Sequence, residues 1–101
     1  MTFPTRVSQL PAFEGPFDAF RLAADGCDVL FASYPAGTGI AEHAHDTDNV
    51  GVITAGELIL MVDGNERRFR PGQWYEVSAG TVHAARFEVE TSEIELWFER
   101  P

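Results

Sequence analysis

The sequence predicts an all-β barrel or jelly roll, and three observations carry that prediction. Short runs alternate apolar with polar residues, Gly, Pro and Asx pairs separate those runs at close intervals, and no helical period persists for three turns. At 101 residues the chain is one domain with room for a single modest core. Its 45% hydrophobic content is enough to fold without disulfides. No tandem repeat or low-complexity tract interrupts the pattern.

Residues 1–16 contain Pro4, Pro11 and Pro16 and no sustained period, which predicts an extended arm, with residues 17–101 as the barrel. Phe3, Phe13 and Phe17 are available to lie on a surface, either this barrel's or a partner's. Two strands, Asp18 to Ala24 and Cys27 to Tyr34, flank Asp25-Gly26, a strong hairpin signal. Along the second, Val29, Phe31 and Ser33 share one face and Leu30, Ala32 and Tyr34 the other. After Pro35-Ala36-Gly37 a strand runs from Ile40 to His45. Asp46-Thr47-Asp48 then makes a polar turn before Asn49 to Thr54. Ala55-Gly56 leads into Glu57 to Val62, and Asp63-Gly64-Asn65 into the polar strand Glu66 to Arg70. Pro71-Gly72 precedes Gln73 to Val77, and Ser78-Ala79-Gly80 precedes Thr81 to Glu90. The last strand, Glu93 to Phe98, sets Ile94, Leu96 and Phe98 against Glu93, Glu95 and Trp97. Trp97 on the acidic face is then either an exposed ring or covered at a dimer interface.

Sixteen acidic against seven basic side chains give a formal charge of -9. That field repels phosphate backbones and anionic lipid, which argues against nucleic acid and membrane partners. Arg67, Arg68 and Arg70 lack interleaved aromatics and read as a solvated edge strand. The single Cys27 has no internal disulfide partner and reads as a small buried apolar residue. No basic-then-apolar leader opens the chain, and its longest aliphatic run, Leu58 to Val62, is far short of a membrane span, so a cytoplasmic location is expected. Phosphate-loop, Gly-x-Ser-x-Gly and Cys-x-x-Cys patterns are absent.

The chain has three histidines. His43 and His45 stand one residue apart, and on an extended strand such residues point to the same face. His83 lies in a second Gly-bounded stretch, and a closed β architecture brings such distant positions within side-chain reach. Neutral imidazole is a good ligand for Fe, Mn, Zn or Ni. Three of them from two strands would form a facial triad with one side of the ion left open.

Gly37, His43, His45 and Gly56 also resemble the first motif of the cupins, with Asn49 where that family has a glutamate. Gly72, Gly80 and His83 resemble the second, with Ser78 replacing a proline and Phe87 an asparagine. The two stretches span about half of the chain. The resemblance implies a cupin double-stranded β-helix, a divalent transition metal on His43, His45 and His83, Asn49 at the fourth ligand position, and a homodimer. An amide at 49 leaves the divalent charge undiminished, which favours an anionic or chelating oxygen ligand. The turn aspartates Asp46 and Asp48 are better placed for solvent than for restoring the carboxylate. Ser78 loosens the turn before His83, because the fixed φ of proline is lost.

An apolar pocket is expected from Val50, Val52, Leu58 and Leu60 or their alternates, with Trp74 and Tyr75 at one rim. Tyr75 and Arg86 are possible substrate groups, and no catalytic residue is assigned. These features together point to a small metal-dependent enzyme, dioxygenase-like or isomerase-like, acting on a small organic molecule. The alternative is a non-catalytic module that binds or senses a small molecule or metal.

Overall fold

The computed structural model describes residues 3–99. Nine strands lie within that span: β1 Asp18–Ala24, β2 Cys27–Tyr34, β3 Thr38–His43, β4 Thr47–Ala55, β5 Leu58–Val62, β6 Asn65–Phe69, β7 Trp74–Val77, β8 His83–Phe87 and β9 Thr91–Glu99. They form a five-stranded sheet ordered β1-β2-β9-β4-β7 and a four-stranded sheet ordered β3-β8-β5-β6, every pair antiparallel. From β2 to β5, and again from β6 to β9, consecutive strands change sheet. This jelly-roll winding seats β3 directly beside β8, with His43 opposite His83. The all-β barrel is therefore as predicted, and each of the nine predicted strands has its counterpart.

Strand faces follow from burial. On β2, Leu30, Ala32 and Tyr34 turn inward, and on β4 Asn49, Gly51 and Ile53 do so. On β9 the acidic face, not the apolar one, lines the interior: Glu93 and Glu95 are each 2% exposed while Ile94 and Leu96 are half-buried. Leu58, Leu60, Phe69, Val77, Ala85 and Phe87 complete the core between the sheets. Such burial of apolar surface is the main driving force for the fold.

Two glycines allow close approaches within it. Gly56 has φ 81, and a Cβ there would lie 2.3 Å from the Glu90 carbonyl oxygen. Gly51 lies beneath the Tyr75 ring, where a Cβ would meet the hydroxyl oxygen at 2.4 Å.

The arm departs from a fully extended course. Thr5–Ser8 is a single helical turn, because Pro4 sits at its start, where its carbonyl accepts from the amides of Val7 and Ser8 and no proline N–H is needed. Beyond it the chain lies along β1: Arg21 N donates to Pro11 O and Phe13 N to Ala19 O. Phe3 is buried edge-on against Phe31, and Phe13, Phe17, Tyr34 and Phe87 form a continuous row of ring contacts, so the arm covers this chain's own barrel.

The third strand also ends earlier than expected. A register shift between Ile40 and His43 closes β3 at His43, so His45 stands outside the strand, and β4 begins at Thr47, leaving Asp46 alone in the bend. Cross-connections hold that loop: Gly80 N donates to His45 O, and Ala79 N to Asp48 Oδ1.

At the outer edge β6 is charged as predicted. Arg68 pairs with Glu57, Glu66 and Glu88, and Arg70 with Glu57. These are exposed contacts that contribute little to stability. Among the described residues no helix is long and apolar enough to cross a membrane.

Candidate metal centre and cavity

The three histidines converge as the sequence predicts. One ligand nitrogen from each of His43, His45 and His83 can be chosen so that all lie within 4.8 Å of one another. Ring centroids are 4.3 Å apart for His43 and His83, 4.4 Å for His43 and His45, and 5.0 Å for His45 and His83. Local backbone fixes two of the tautomers. His43 Nδ1 donates to Ala41 O at 2.8 Å and His83 Nδ1 to Thr81 O at 2.9 Å. Each neutral ring then carries its free lone pair on Nε2.

His43 Nε2 and His45 Nε2 are 2.9 Å apart. Two nitrogens binding one ion at roughly 2.0–2.1 Å and a right angle have about this separation. Without an ion the same contact is an N–H···N bond from His45. Desolvation, followed by the charges of His43 and His83, pushes the His45 pKa down to about 4. The ring is then neutral at pH 7, the form that ligates. Donor type, tautomer and spacing all fit a divalent transition metal.

Asn49, the expected fourth group, is buried and lines the same cavity, with its side-chain nitrogen 3.4 Å from Leu96 O. Of the two turn aspartates, Asp48 accepts from the Ala79 amide and Asp46 is exposed. Trp97 is not a fully exposed ring: it is half-buried and packs edge-on against His45 at 4.6 Å.

The histidines border a cavity of about 470 Å³ between the sheets. Leu58, Leu60, Val77, Ala85 and Phe87 give it apolar walls, and Pro16 and Phe17 bring the arm to its border. The expected pocket is half right. Leu58, Leu60 and Tyr75 face it, whereas Val50 and Val52 lie on the opposite face of β4 and Trp74 is 59% exposed. The alternates Asn49, Gly51 and Ile53 point inward because β4 is paired on both sides and its register is thereby fixed. Arg86 is outside the lining and pairs with Glu66 at 2.6 Å.

Sequence reasoning missed the acidic end of this cavity. Tyr75 OH donates to Glu93 Oε1 and Tyr34 OH to Glu95 Oε2, each at 2.6 Å, while Trp97 Nε1 donates to Glu95 Oε1 at 3.2 Å. Burial, followed by the charge of Glu95, raises the Glu93 carboxyl well above its ordinary value. Burial likewise raises the Tyr75 and Tyr34 hydroxyls, so both remain donors. The available signal was the i, i+2 spacing that puts Glu93, Glu95 and Trp97 on one face.

These shifts imply opposite pH dependences in the metal-free protein. His45 has a lowered folded pKa, so its contribution to stability falls as pH drops from 6.5 to about 4. Glu93 has a raised one: above 4.5 the unfolded chain releases a proton the folded chain keeps, so stability is lost as pH rises. Glu93→Gln is therefore expected to raise the melting temperature more at pH 8 than at pH 5. An equal rise at both values, read by calorimetry, would contradict the assignment.

Comparison with known proteins gives a consistent picture. Residues 30–97 match the family model described as Cupin domain. The HTH-type transcriptional regulator PuuR of Escherichia coli (strain K12) is 28% identical over 57 residues, 55% of this chain and 31% of the regulator. The chain thus spans about a third of the length of the curated relatives it matches. Among solved structures, an RmlC-like cupin from Shewanella frigidimarina NCIMB 400 superposes with a TM-score of 0.79 at 19% identity, covering 92% of this chain and 86% of the other. KdgF from Halomonas sp. does so with a TM-score of 0.77 at 20% identity, covering 100% and 94%. At these identities the structures show a shared fold.

Proposed function

The chain belongs to the cupin domain family, and from that premise we propose that it is a metal-dependent enzyme, isomerase-like or dioxygenase-like, acting on a small organic molecule held inside the barrel. The observation that carries this reading is the convergence of three imidazoles at the border of an apolar cavity.

His43, His45 and His83 would hold the ion, with Asn49 as the proposed fourth group. When bound, such an ion polarises an oxygen of the ligand. The chain's own groups do the rest. Ala41 O and Thr81 O keep two imidazoles in the ligating tautomer. Trp97 backs the His45 ring. Leu58, Leu60 and Phe87 give the space beside them an apolar lining, and polar contacts are stronger in surroundings of low dielectric.

The same reading includes a cytoplasmic homodimer that binds neither nucleic acid nor membrane, consistent with the net charge of -9. Sedimentation at several concentrations tests the dimer.

Elemental analysis tests the metal. Protein offered Fe, Mn, Zn and Ni in turn is expected to retain about one equivalent of at least one of them after desalting. Retention of none would end the proposal.

A further inference from the structure

We propose that the outward face of the five-stranded sheet is where a second copy of this chain docks, sheet against sheet; this gives the homodimer proposed above its contact surface and rests on that part of the reading. Register carries apolar side chains across the face in two continuous rows. One is Leu22, Val29, Leu96 and Val50 on β1, β2, β9 and β4, and the other is Ile94, Val52 and Trp74 on β9, β4 and β7. Leu22 is 46% exposed and Trp74 59%, and the side chains between them are half-buried. The charged residues at outward positions, Asp18, Asp48 and Glu76, stand at the border. A sheet face left to solvent is normally polar.

The four-stranded sheet shows how this chain treats such a face. Ile59 on β5 also points outward, yet it stands between Arg68 and Arg86 in the register and is fully buried. Those arginines pair with Glu57, Glu66 and Glu88, so the face is closed by its own long side chains. Among the described residues, the five-stranded sheet has a comparable cover only at Phe31, where Phe3 of the arm lies.

Size and charge select the occupant. Five strands about 4.8 Å apart, over roughly 20 Å of their length, make a plane of about 500 Å². Two such planes bury about 1,000 Å², which reaches the lower limit of a specific interface. Twisted sheets stack in this way about 10 Å apart with their side chains interdigitated. Because β9 is the middle strand of five, a two-fold axis parallel to it sets each edge of one sheet over the opposite edge of the other. Trp74 on β7 then lies over the β1 strand of the second copy, and both exposed borders are covered. The centre of the face carries no charge, so two copies meet without burying one. Only their acidic borders repel, and salt should relieve that repulsion.

Sedimentation equilibrium of the full chain from about 1 μM to 1 mM tests the proposal, and a reversible dimer with its midpoint inside that range is expected. Raising the ionic strength from about 0.05 to 0.5 M should tighten it. Leu96→Lys, which sets two unpaired charges at the centre, should weaken it at least about 100-fold. Trp74→Glu, at an exposed edge, should weaken it about tenfold. Val89→Lys, 50% exposed but in the turn before β9, should change it by less than about twofold.

A chain that stays monomeric to about 1 mM would overturn this inference and the homodimer together. A dimer that Leu96→Lys and Trp74→Glu leave intact, or one that salt loosens, would overturn the face alone. If Leu96→Lys does not fold, Trp74→Glu decides. No histidine stands on this face, so folded Trp74→Glu should retain metal as the unmodified chain does, and the metal reading stands or falls separately.

Discussion

His83→Ala is expected to abolish stoichiometric metal binding. His83 is 6% exposed, stands opposite His43 in the β3–β8 register, and has its Nδ1 tied to Thr81 O. Its remaining nitrogen has no competing role on the ordered backbone. Removing it leaves two imidazoles, His43 on a strand end and His45 in a loop, with only the neutral amide of Asn49 lining the cavity beside them. Loss of an outer-shell partner typically weakens metal affinity about 10–100-fold, and loss of a ligand should exceed that. Competition with a chromophoric chelator reads the affinity, and circular dichroism checks that the fold survives. A folded His83→Ala protein that keeps a full equivalent of metal would remove the basis of the proposed activity.

Gly56→Ala should cause a large loss of stability. Two costs combine there. The left-handed backbone at φ 81 disfavours a Cβ by about 1–2 kcal/mol. The added carbon would also meet the Glu90 carbonyl oxygen at 2.3 Å and the Thr91 Cα at 2.8 Å. These are backbone atoms that cannot rotate away, and overpacking of this kind costs about 1–3 kcal/mol.

The sum, about 2–5 kcal/mol, is a large share of the roughly 5–15 kcal/mol available to a domain. For a chain of this size it corresponds to a fall in melting temperature of about 10 °C or more. Gly64→Ala is the matched control. Its φ is 76, yet nothing lies within 4 Å of the added carbon, so only the backbone cost applies. Equal melting temperatures for the two variants would show that the contact at 56 relaxes freely.

Much of this architecture was legible in the residues. The nine strands were marked by turn pairs such as Asp25-Gly26 and Pro71-Gly72, whose backbone requirements are local, and the three histidines by motif spacing. What escaped was the side of each strand that faces inward. Alternation is usually read as apolar in and polar out, and on β9 that rule would place Ile94 and Leu96 in the core. Glu93 and Glu95 lie inside because Tyr75, 18 residues back, and Tyr34, 61 residues back, supply hydroxyls to them. No window along the chain contains all of these residues. The helical turn at Thr5–Ser8 was hidden for another reason: proline was taken as a sign of extended backbone, and a helix start is the one helical position that accepts it.

The bare α-carbon at position 51 ties two sites into a single heritable unit. Any side chain there would strike the Tyr75 hydroxyl that rests over it and part that group from Glu93. A lineage could change residue 51 only by first, or simultaneously, giving up the tyrosine. The pair should therefore vary together among descendants of this chain, and a double-mutant cycle across Gly51→Ala and Tyr75→Phe should be strongly non-additive.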